Sequence, residues 1–284
     1  HTLGRCAQSY PGEAGQRHMI TRGNPGDSMR IISLSVDGIV QAAGRGLFDW
    51  LEQQAADVIC LQDLRTSEDR LDSPVYFPEG YCAYFCDKVD GDRGVAIYTR
   101  QMPRAVMMGF GYSPDVDLDG AYIRADFEQL SVVSLLVPHA GLDPQALENK
   151  MRFLDQLQAH FHKVSNKRRK YIFCGNWHIA HQKADVQNWE ANQTSPGFLP
   201  FERQWLNEIH NELGYVDALR ALNSDRDIYS WWPSGTPGEG DGWRVDGQVV
   251  SPEFASYVQK ARFYRDQVFS SHLPLIVDYD IDIY

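Results

Sequence analysis

The chain has 284 residues, and 43% of them are hydrophobic, which is sufficient for a sizeable core. No apolar run approaches the roughly 18 residues that suggest a membrane-spanning helix, so a soluble protein is expected. The formal net charge of −11 repels a free phosphate polymer as a whole, which favours a protein partner or a very local contact with nucleic acid.

Residues 1–28 differ in composition from the rest of the chain. They begin at His1, are rich in Gly, Pro, Arg and Ser, and show no hydrophobic periodicity before Met29. We interpret them as a flexible leader that comes from an expression vector or from upstream translation. Residues 29–284 contain no linker-like break and are predicted to form one domain.

The cysteines indicate a reduced environment. Cys60 and Cys174 lie inside apolar strand-like runs, where a buried thiol is the usual outcome. Cys82 and Cys86 are four positions apart, a spacing that matches no common zinc motif. Because there is also no apolar stretch of the signal-peptide type, the sequence predicts a cytoplasmic protein.

Predicted strands and helices alternate along residues 29–284. Residues 30–36 and 57–62 are short runs rich in β-branched side chains, and a helical spacing of Leu47, Trp50 and Leu51 lies between them. Further strands are predicted near 80–86, 94–99, 103–108, 121–127, 131–137, 170–174, 228–232, 244–250 and 274–280, and helices near 147–164 and 201–213. This mixture predicts an α/β domain with layered sheets.

Polar residues follow several of these strands, where a cleft would open. They are Ser35, Asp63, Asn176, His178, Asp246, Ser271 and His272. Phosphodiester cleavage needs such groups, because Mg²⁺ takes carboxylate oxygens and the attacking water needs a base.

The order of these residues resembles the exonuclease III group of the endonuclease/exonuclease/phosphatase family. That group has motifs of the form FNxNG, LQE, YxPN, GDxN, RxD and SDH, and their order matches over essentially all of residues 29–284. The resemblance implies a four-layer α/β sandwich of the exonuclease III/DNase I type.

Several positions depart from those motifs. The first Asn of the family falls on Ser35, its metal-ligating Glu on Asp63 and its active-site Tyr on Leu136. The GDxN pair becomes Asn176 and His178, and the acid of SDH becomes Ser271, so only Asp246 and His272 keep the family pair. The comparison with the motifs therefore predicts no catalytic residues, no metal, no cofactor and no enzyme activity.

A narrower resemblance is to the catabolite repression control proteins of pseudomonads and related bacteria. It is carried by the segments RRKYIFCG, IAHQKADVQNW, FERQWLNE, YVDALR, SWWP, GWRVDGQV and PLIVDYD. This resemblance implies a non-catalytic post-transcriptional regulator that represses translation of catabolic mRNAs. It also implies that the partner is the complex of the RNA chaperone Hfq with A-rich mRNA, rather than free RNA, DNA or a membrane.

Two alternatives remain open at this point. One is a residual metal-dependent nuclease or phosphatase, of the abasic-site endonuclease or exonuclease kind, that uses Asp63, Asp246 and His272. The other is an RNA-binding protein that needs no partner. The Asp246–His272 pair itself fits a structural hydrogen bond as well as a proton relay.

Two further groups of residues are candidates for contact with RNA or a partner. A basic run closes the helix at 147–164 and consists of Lys163, Lys167, Arg168, Arg169 and Lys170. Cations at a helix C-terminus are also favoured by the helix dipole, so a purely structural role is the competing interpretation. Trp231 and Trp232 could stack on bases, but strand alternation predicts that at least one of them lies in the core.

Overall fold

A computed structural model describes residues 5–6, 28–128, 130–281 and 283 of the chain. Most of the expected leader, residues 1–28, therefore lies outside the described residues, and the domain boundary at residue 29 stays a prediction. Within the described part of the chain, no helix combines the length and the apolar character needed to cross a membrane.

The strands form two mixed sheets. In chain order they are β1 (Arg5–Cys6), β2 (Met29–Ser35), β3 (Val58–Gln62), β4 (Cys82–Asp87), β5 (Gly94–Thr99), β6 (Ala105–Met108), β7 (Tyr122–Asp126), β8 (Leu130–Leu136), β9 (Lys170–Asn176), β10 (Val216–Asp217), β11 (Asp246–Val250), β12 (Val258–Phe263) and β13 (Leu275–Tyr279). The first sheet has the order β1-β4-β5-β3-β2-β13-β12, and the second has the order β10-β11-β9-β8-β7-β6.

The helices connect these strands and cover the sheets. They are α1 (Ile39–Gly44), α2 (Leu47–Glu52), α3 (Pro114–Asp117), α4 (Pro144–Ser165), α5 (Pro200–Asn207) and α6 (Ala218–Leu222). The longest helix, α4, begins where Asp143 caps it by accepting hydrogen bonds from the backbone N–H groups of Gln145 and Ala146. A single π-helical turn, Glu208–Glu212, follows α5 directly.

Side-chain alternation in the strands creates three apolar layers. In β2, Ile31 belongs to the core between the two sheets, together with Val58 and Ile172. Its neighbour Ile32 points the other way and packs in a second core with Phe48 of α2. This two-residue period is expected for strands that are buried on both faces.

A third core fills the space between the second sheet and its helices. Phe173 of β9 packs there with Leu157 and Phe161 of α4 and with Trp205 of α5. The layers therefore run helix, sheet, sheet, helix, and the predicted four-layer α/β sandwich is confirmed.

Some local predictions differ from the structure. Residues 228–232 form no strand and contribute only an isolated pairing of Trp231 with Trp243 and His272. Strand β12 was not predicted, and the helix predicted at 201–213 ends at Asn207 before the π-helical turn. Trp232 is only 5% exposed, which confirms that one of the two tryptophans lies in the core.

The thiols agree with the prediction except at one position. Cys60, Cys86 and Cys174 are free and buried. Cys82 is in a disulfide, so the expectation of a fully reduced chain is wrong at that residue.

Candidate active site

Strand direction brings the polar residues to one edge of the two sheets. The parallel pairs β2/β3 and β8/β9 end at that edge, while β13 and β11 run antiparallel to β2 and β9 and begin there. The two sheets meet through a hydrogen bond of 3.2 Å from Asn176 Nδ2, at the end of β9, to Ser35 Oγ, at the end of β2. The predicted cleft residues therefore surround one site.

The Asp246–His272 pair is intact in this site. The Nδ1 atom of His272 donates to Asp246 Oδ2 over 2.7 Å, and the two side chains are 3% and 4% exposed. The ring of Trp231 stacks on that of His272 with a centroid distance of 6.0 Å. The second carboxylate oxygen of Asp246 is buried and accepts no hydrogen bond from the described residues, so it is an open acceptor.

Asn176 and His178 are held together rather than directed freely into the cleft. The side-chain oxygen of Asn176 accepts from the backbone N–H of His178 over 3.0 Å, and its Nδ2 donates to His178 Nε2 over 3.0 Å. The other ring nitrogen of His178, Nδ1, donates to the carbonyl of Val137 over 2.5 Å. These partners require the neutral imidazole, with Nε2 as the acceptor.

Two aspartates and an arginine form the other half of the site. Asp37, two residues after β2, accepts hydrogen bonds from both the backbone N–H and the hydroxyl of Ser271. Asp63, directly after β3, pairs with Arg65, whose Nη2 atom lies 2.7 Å from Asp63 Oδ2 and 3.6 Å from Asp37 Oδ1. Ser271 thus serves as a donor that orients Asp37.

The backbone at this edge is strained. Asp37, Asp63, Arg65 and His178 have φ angles between +48° and +59°. Residues with a Cβ rarely adopt this left-handed conformation, and such strain concentrates at functional sites. The strain turns the chain back at the strand ends and directs these side chains toward one another.

The histidines of the site have opposite protonation preferences. Burial lowers the pKa of His272, but the charge and hydrogen bond of Asp246, aided by Asp37 and Asp63, raise it overall above its ordinary value. Burial and the Lys150 charge lower the pKa of His178, and partial desolvation together with the same charge lowers that of His139, whose ring centroid lies 5.2 Å from that of His178. The surroundings of His272 therefore favour the charged imidazolium, whereas those of His178 and His139 favour the neutral imidazole.

The donor set does not fit a divalent ion as it stands. Among the described residues no three or more His, Cys, Asp or Glu side chains are placed to hold a metal. Asp63 and Asp37 contribute two carboxylates to the site, but Nη2 of Arg65 already contacts both of them. Mg²⁺ would have to displace that group to reach its usual oxygen ligands.

Sequence reasoning missed three residues of the site. No role was assigned to Asp37, Arg65 or His139 from the sequence. Each follows a strand end by two or three residues, which is the available sequence signal. Leu136, by contrast, packs into the core between the sheets and adds no polar group.

The basic run lies away from this site. Lys170 begins β9 and Asn176 ends it, so a strand length of about 20 Å separates them. Arg169 donates to the carbonyls of Phe127 and Leu130, and Lys170 pairs with Glu253 over 3.3 Å. The exposed Lys167 and Arg168 keep their contact role as a prediction.

Comparison with known proteins identifies the family. The Endonuclease/Exonuclease/phosphatase family model matches residues 33–276. The chain belongs to the Endonuclease/Exonuclease/phosphatase family. Curated relatives agree with this: the chain is 29% identical over 252 residues to an exodeoxyribonuclease of Bacillus subtilis (strain 168), covering 87% of this chain and 98% of that protein.

A second curated relative has the same sequence identity to this member of the Endonuclease/Exonuclease/phosphatase family. The chain is 29% identical over 263 residues to the DNA-(apurinic or apyrimidinic site) endonuclease of Dictyostelium discoideum, covering 90% of this chain and 72% of that protein. An AP endonuclease from Archaeoglobus fulgidus has the same fold, with a TM-score of 0.80 and 24% identity over 89% of this chain and 100% of the other.

These relatives correct two expectations about this member of the Endonuclease/Exonuclease/phosphatase family. The predicted non-catalytic translational regulator is contradicted, because two curated relatives that span most of the chain carry the names of nucleases. The expectation that the chain is not an enzyme is contradicted by the same finding. The nuclease alternative agrees better with the comparisons.

Proposed function

We propose that the chain is a phosphoester hydrolase that cleaves DNA at abasic sites or at 3′ ends. The observation that carries this proposal is the buried Asp246–His272 pair, 2.7 Å apart, at a cleft edge shared with Asp37 and Asp63. The names of the relatives, an exodeoxyribonuclease and a DNA-(apurinic or apyrimidinic site) endonuclease, supply the substrate class.

The pKa shifts of the histidines suggest which of them acts as the general acid and which as the general base. His272, whose pKa is raised, is the acid that protonates the leaving oxygen of the phosphodiester. His139 reaches the surface and its lowered pKa favours the neutral form, so it is the base that takes a proton from the attacking water. The water oxygen bonds to phosphorus as it loses one proton to His139, and its second proton stays on the phosphate product. The bond from phosphorus to the leaving oxygen breaks, and that oxygen receives the proton of His272.

Asp246 positions this acid and keeps it charged. Its carboxylate holds Nδ1 of His272, so Nε2 is the nitrogen that remains for the substrate. Asn176 and His178 fix each other by hydrogen bonds and shape the wall of the cleft. Because the family carboxylate at position 176 is an amide here, we expect a slow enzyme.

The proposal is tested by cleavage of two DNA duplexes at enzyme excess. One duplex contains a single abasic-site analogue, the other a recessed 3′ end, and each is assayed with Mg²⁺, with Mn²⁺ and with EDTA. We expect cleavage in at least one condition, and His272→Ala and His139→Ala should each reduce the rate by about 10²-fold or more. The exposed His162→Ala is the matched control and should cleave at the wild-type rate.

A wild-type rate no higher than that of His272→Ala in every condition would overturn the proposal. Binding to the Hfq–RNA complex, the narrower resemblance to the catabolite repression control proteins and a cytoplasmic location gain no support from the comparisons and stay predictions.

A further inference from the structure

The Arg65 guanidinium sits between the two carboxylates of the site. A single nitrogen, Nη2, lies 2.7 Å from Asp63 Oδ2 and 3.6 Å from Asp37 Oδ1. The second terminal nitrogen, Nη1, lies 3.5 Å from the main-chain carbonyl of Asp37. One end of the guanidinium fork therefore faces the two carboxylates, and the other end faces the main chain of Asp37.

The local backbone fixes this arrangement. Asp63 and Arg65 both adopt the left-handed conformation, and Arg65 returns toward Asp63 two residues before it. The backbone N–H of Gly38 donates to the carbonyl of Asp63 over 2.9 Å, which joins the turns after β2 and β3. The cation is thus held between two turns that are hydrogen-bonded to each other.

The guanidinium also remains open to a ligand. About half of its side chain, 53%, is exposed, whereas those of Asp63 and Asp37 are 19% and 23% exposed. Guanidinium carries five N–H donors in a planar fork that matches the oxygens of a phosphate. Burial lowers the pKa of Arg65, but Asp63 and Asp37 outweigh it and raise the pKa above its ordinary value, so the cation is permanent.

We propose that Arg65 takes the place of a divalent ion between Asp37 and Asp63 and binds the substrate phosphate directly. This inference rests on the proposed phosphoester hydrolase and specifies how that site meets its substrate. The reason is that the site does not suit a divalent ion. The carboxylate oxygens of Asp37 and Asp63, which would ligate such an ion, already face the guanidinium of Arg65.

The first test measures Mn²⁺ binding by the whole protein, by electron paramagnetic resonance of the free ion. Wild-type protein should bind Mn²⁺ no better than Asp63→Asn, because the guanidinium blocks the site. Arg65→Met should bind Mn²⁺ at least about tenfold more tightly than wild type, since it exposes two unpaired carboxylates. Wild-type binding that Asp63→Asn weakens tenfold would overturn the proposal.

The second test measures binding of a DNA duplex with a 3′-terminal phosphate, in EDTA. Wild-type protein should bind it, and Arg65→Met should lose about tenfold in affinity, the range expected for one charged hydrogen bond. Arg65→Lys should recover only part of this, because it lacks the fork. Exposed Arg265→Met is the matched control, and an equal loss in that variant would overturn the proposal.

The two tests separate this inference from the proposed function. Phosphate binding in EDTA that depends on Arg65, without any DNA cleavage, supports the inference and rejects the hydrolase. Cleavage that is abolished by EDTA, together with wild-type Mn²⁺ binding at Asp63, supports a hydrolase and rejects the inference. Melting temperatures of all variants confirm that a lost signal does not come from unfolding.

Discussion

The Oδ2 atom of Asp246 lies 2.7 Å from Nδ1 of His272, and both side chains are almost fully buried. An imidazole in such a place would ordinarily lose its proton, because burial disfavours charge. The carboxylate reverses this and raises the pKa of His272. The contact with Asp246 therefore shifts His272 toward its charged form despite burial.

Replacement of Asp246 by Asn should lower the pKa of His272. Because the pKa in the folded state is raised, the pair stabilises the fold fully below the unfolded pKa of about 6.5, and this contribution disappears as pH rises through the folded value. The loss of unfolding free energy in Asp246→Asn should therefore be larger at pH 6 than at pH 9. NMR titration of the His272 ring and urea unfolding at both values measure it.

Exposed Asp266→Asn provides the control for this comparison. It should change the unfolding free energy by less than about 0.5 kcal/mol at either pH. An Asp246→Asn penalty that is independent of pH would mean that His272 is neutral throughout.

Replacement of Asn176 by Asp should accelerate DNA cleavage. The amide at this position donates to His178 Nε2, whereas a carboxylate would accept from it and raise the pKa of His178. A buried base would then lie at the end of β9, and an added general base is typically worth about 10²-fold or more. Single-turnover cleavage of abasic DNA measures the change.

Asn166→Asp adds the same charge at the exposed C-terminal end of α4 and serves as the control. It should leave the rate unchanged. An Asn176→Asp protein that folds but cleaves no faster would show that position 176 does not limit the reaction.

His160 should make the fold sensitive to acid. Its two ring nitrogens meet the hydroxyls of Tyr112 and Tyr122 at 2.9 and 3.0 Å, and its ring stacks on Phe110. Burial, aided by the Arg124 charge, lowers the pKa of His160 to about 3. The neutral ring therefore stabilises the fold above pH 6.5, and the unfolded chain gains a proton as the pH falls below that value.

The expected cost is up to about 1.4 kcal/mol of unfolding free energy for each pH unit between 6.5 and 3. His160→Gln should remove this slope from urea unfolding curves measured between pH 6.5 and 4.5. His162→Gln, at an exposed position of the same helix, should keep it. Equal slopes in wild type and His160→Gln would contradict the assignment.

Lys150 and Glu202 form a buried ion pair that supports the wall of the site. Their Nζ and Oε1 atoms are 2.5 Å apart, and Lys150 also donates to the carbonyl of His178 over 2.7 Å. Lys150→Met should cost about 3–5 kcal/mol, because it leaves a buried carboxylate unpaired. Lys150→Met with Glu202→Gln should recover much of this loss.

Urea unfolding of the single and double variants measures this coupling. Arg152→Met, which breaks an exposed pair on the same helix, should cost less than about 1 kcal/mol. A double variant as unstable as Lys150→Met would show that packing of the lysine, and not its charge, matters.

The central strands could be predicted from the sequence because they are buried on both faces. Strand β5 occupies Gly94–Thr99, the predicted range, and all of its residues are buried. Strand β12 was missed because it is an edge strand: Val258 and Phe263 are buried, but Gln259 and Lys260 between them are exposed. Its polar face resembles a loop.

The site could be predicted only in part, because some of its residues reach it through irregular turns and not from strand ends. Residues at or directly after the end of a strand, such as Asn176 and Asp63, carry the clearest positional signal. Arg65 acts through a left-handed turn that returns it to Asp63, and no periodicity encodes such a turn. Its contact with Asp37 also requires knowledge that β2 and β3 are neighbours.

Two adjacent arginines of the basic run after α4 should differ in their contribution to stability. Arg169 donates to the carbonyls of Phe127 and Leu130 at 2.9 and 3.2 Å, whereas the adjacent Arg168 is exposed. Arg169→Ala should therefore cost about 1–3 kcal/mol of unfolding free energy, because it leaves carbonyls without their charged donor. Arg168→Ala should stay within about 0.5 kcal/mol of wild type. Thermal and urea unfolding decide between them, and equal stabilities would mean that Arg169 is a solvated cation whose contacts contribute nothing.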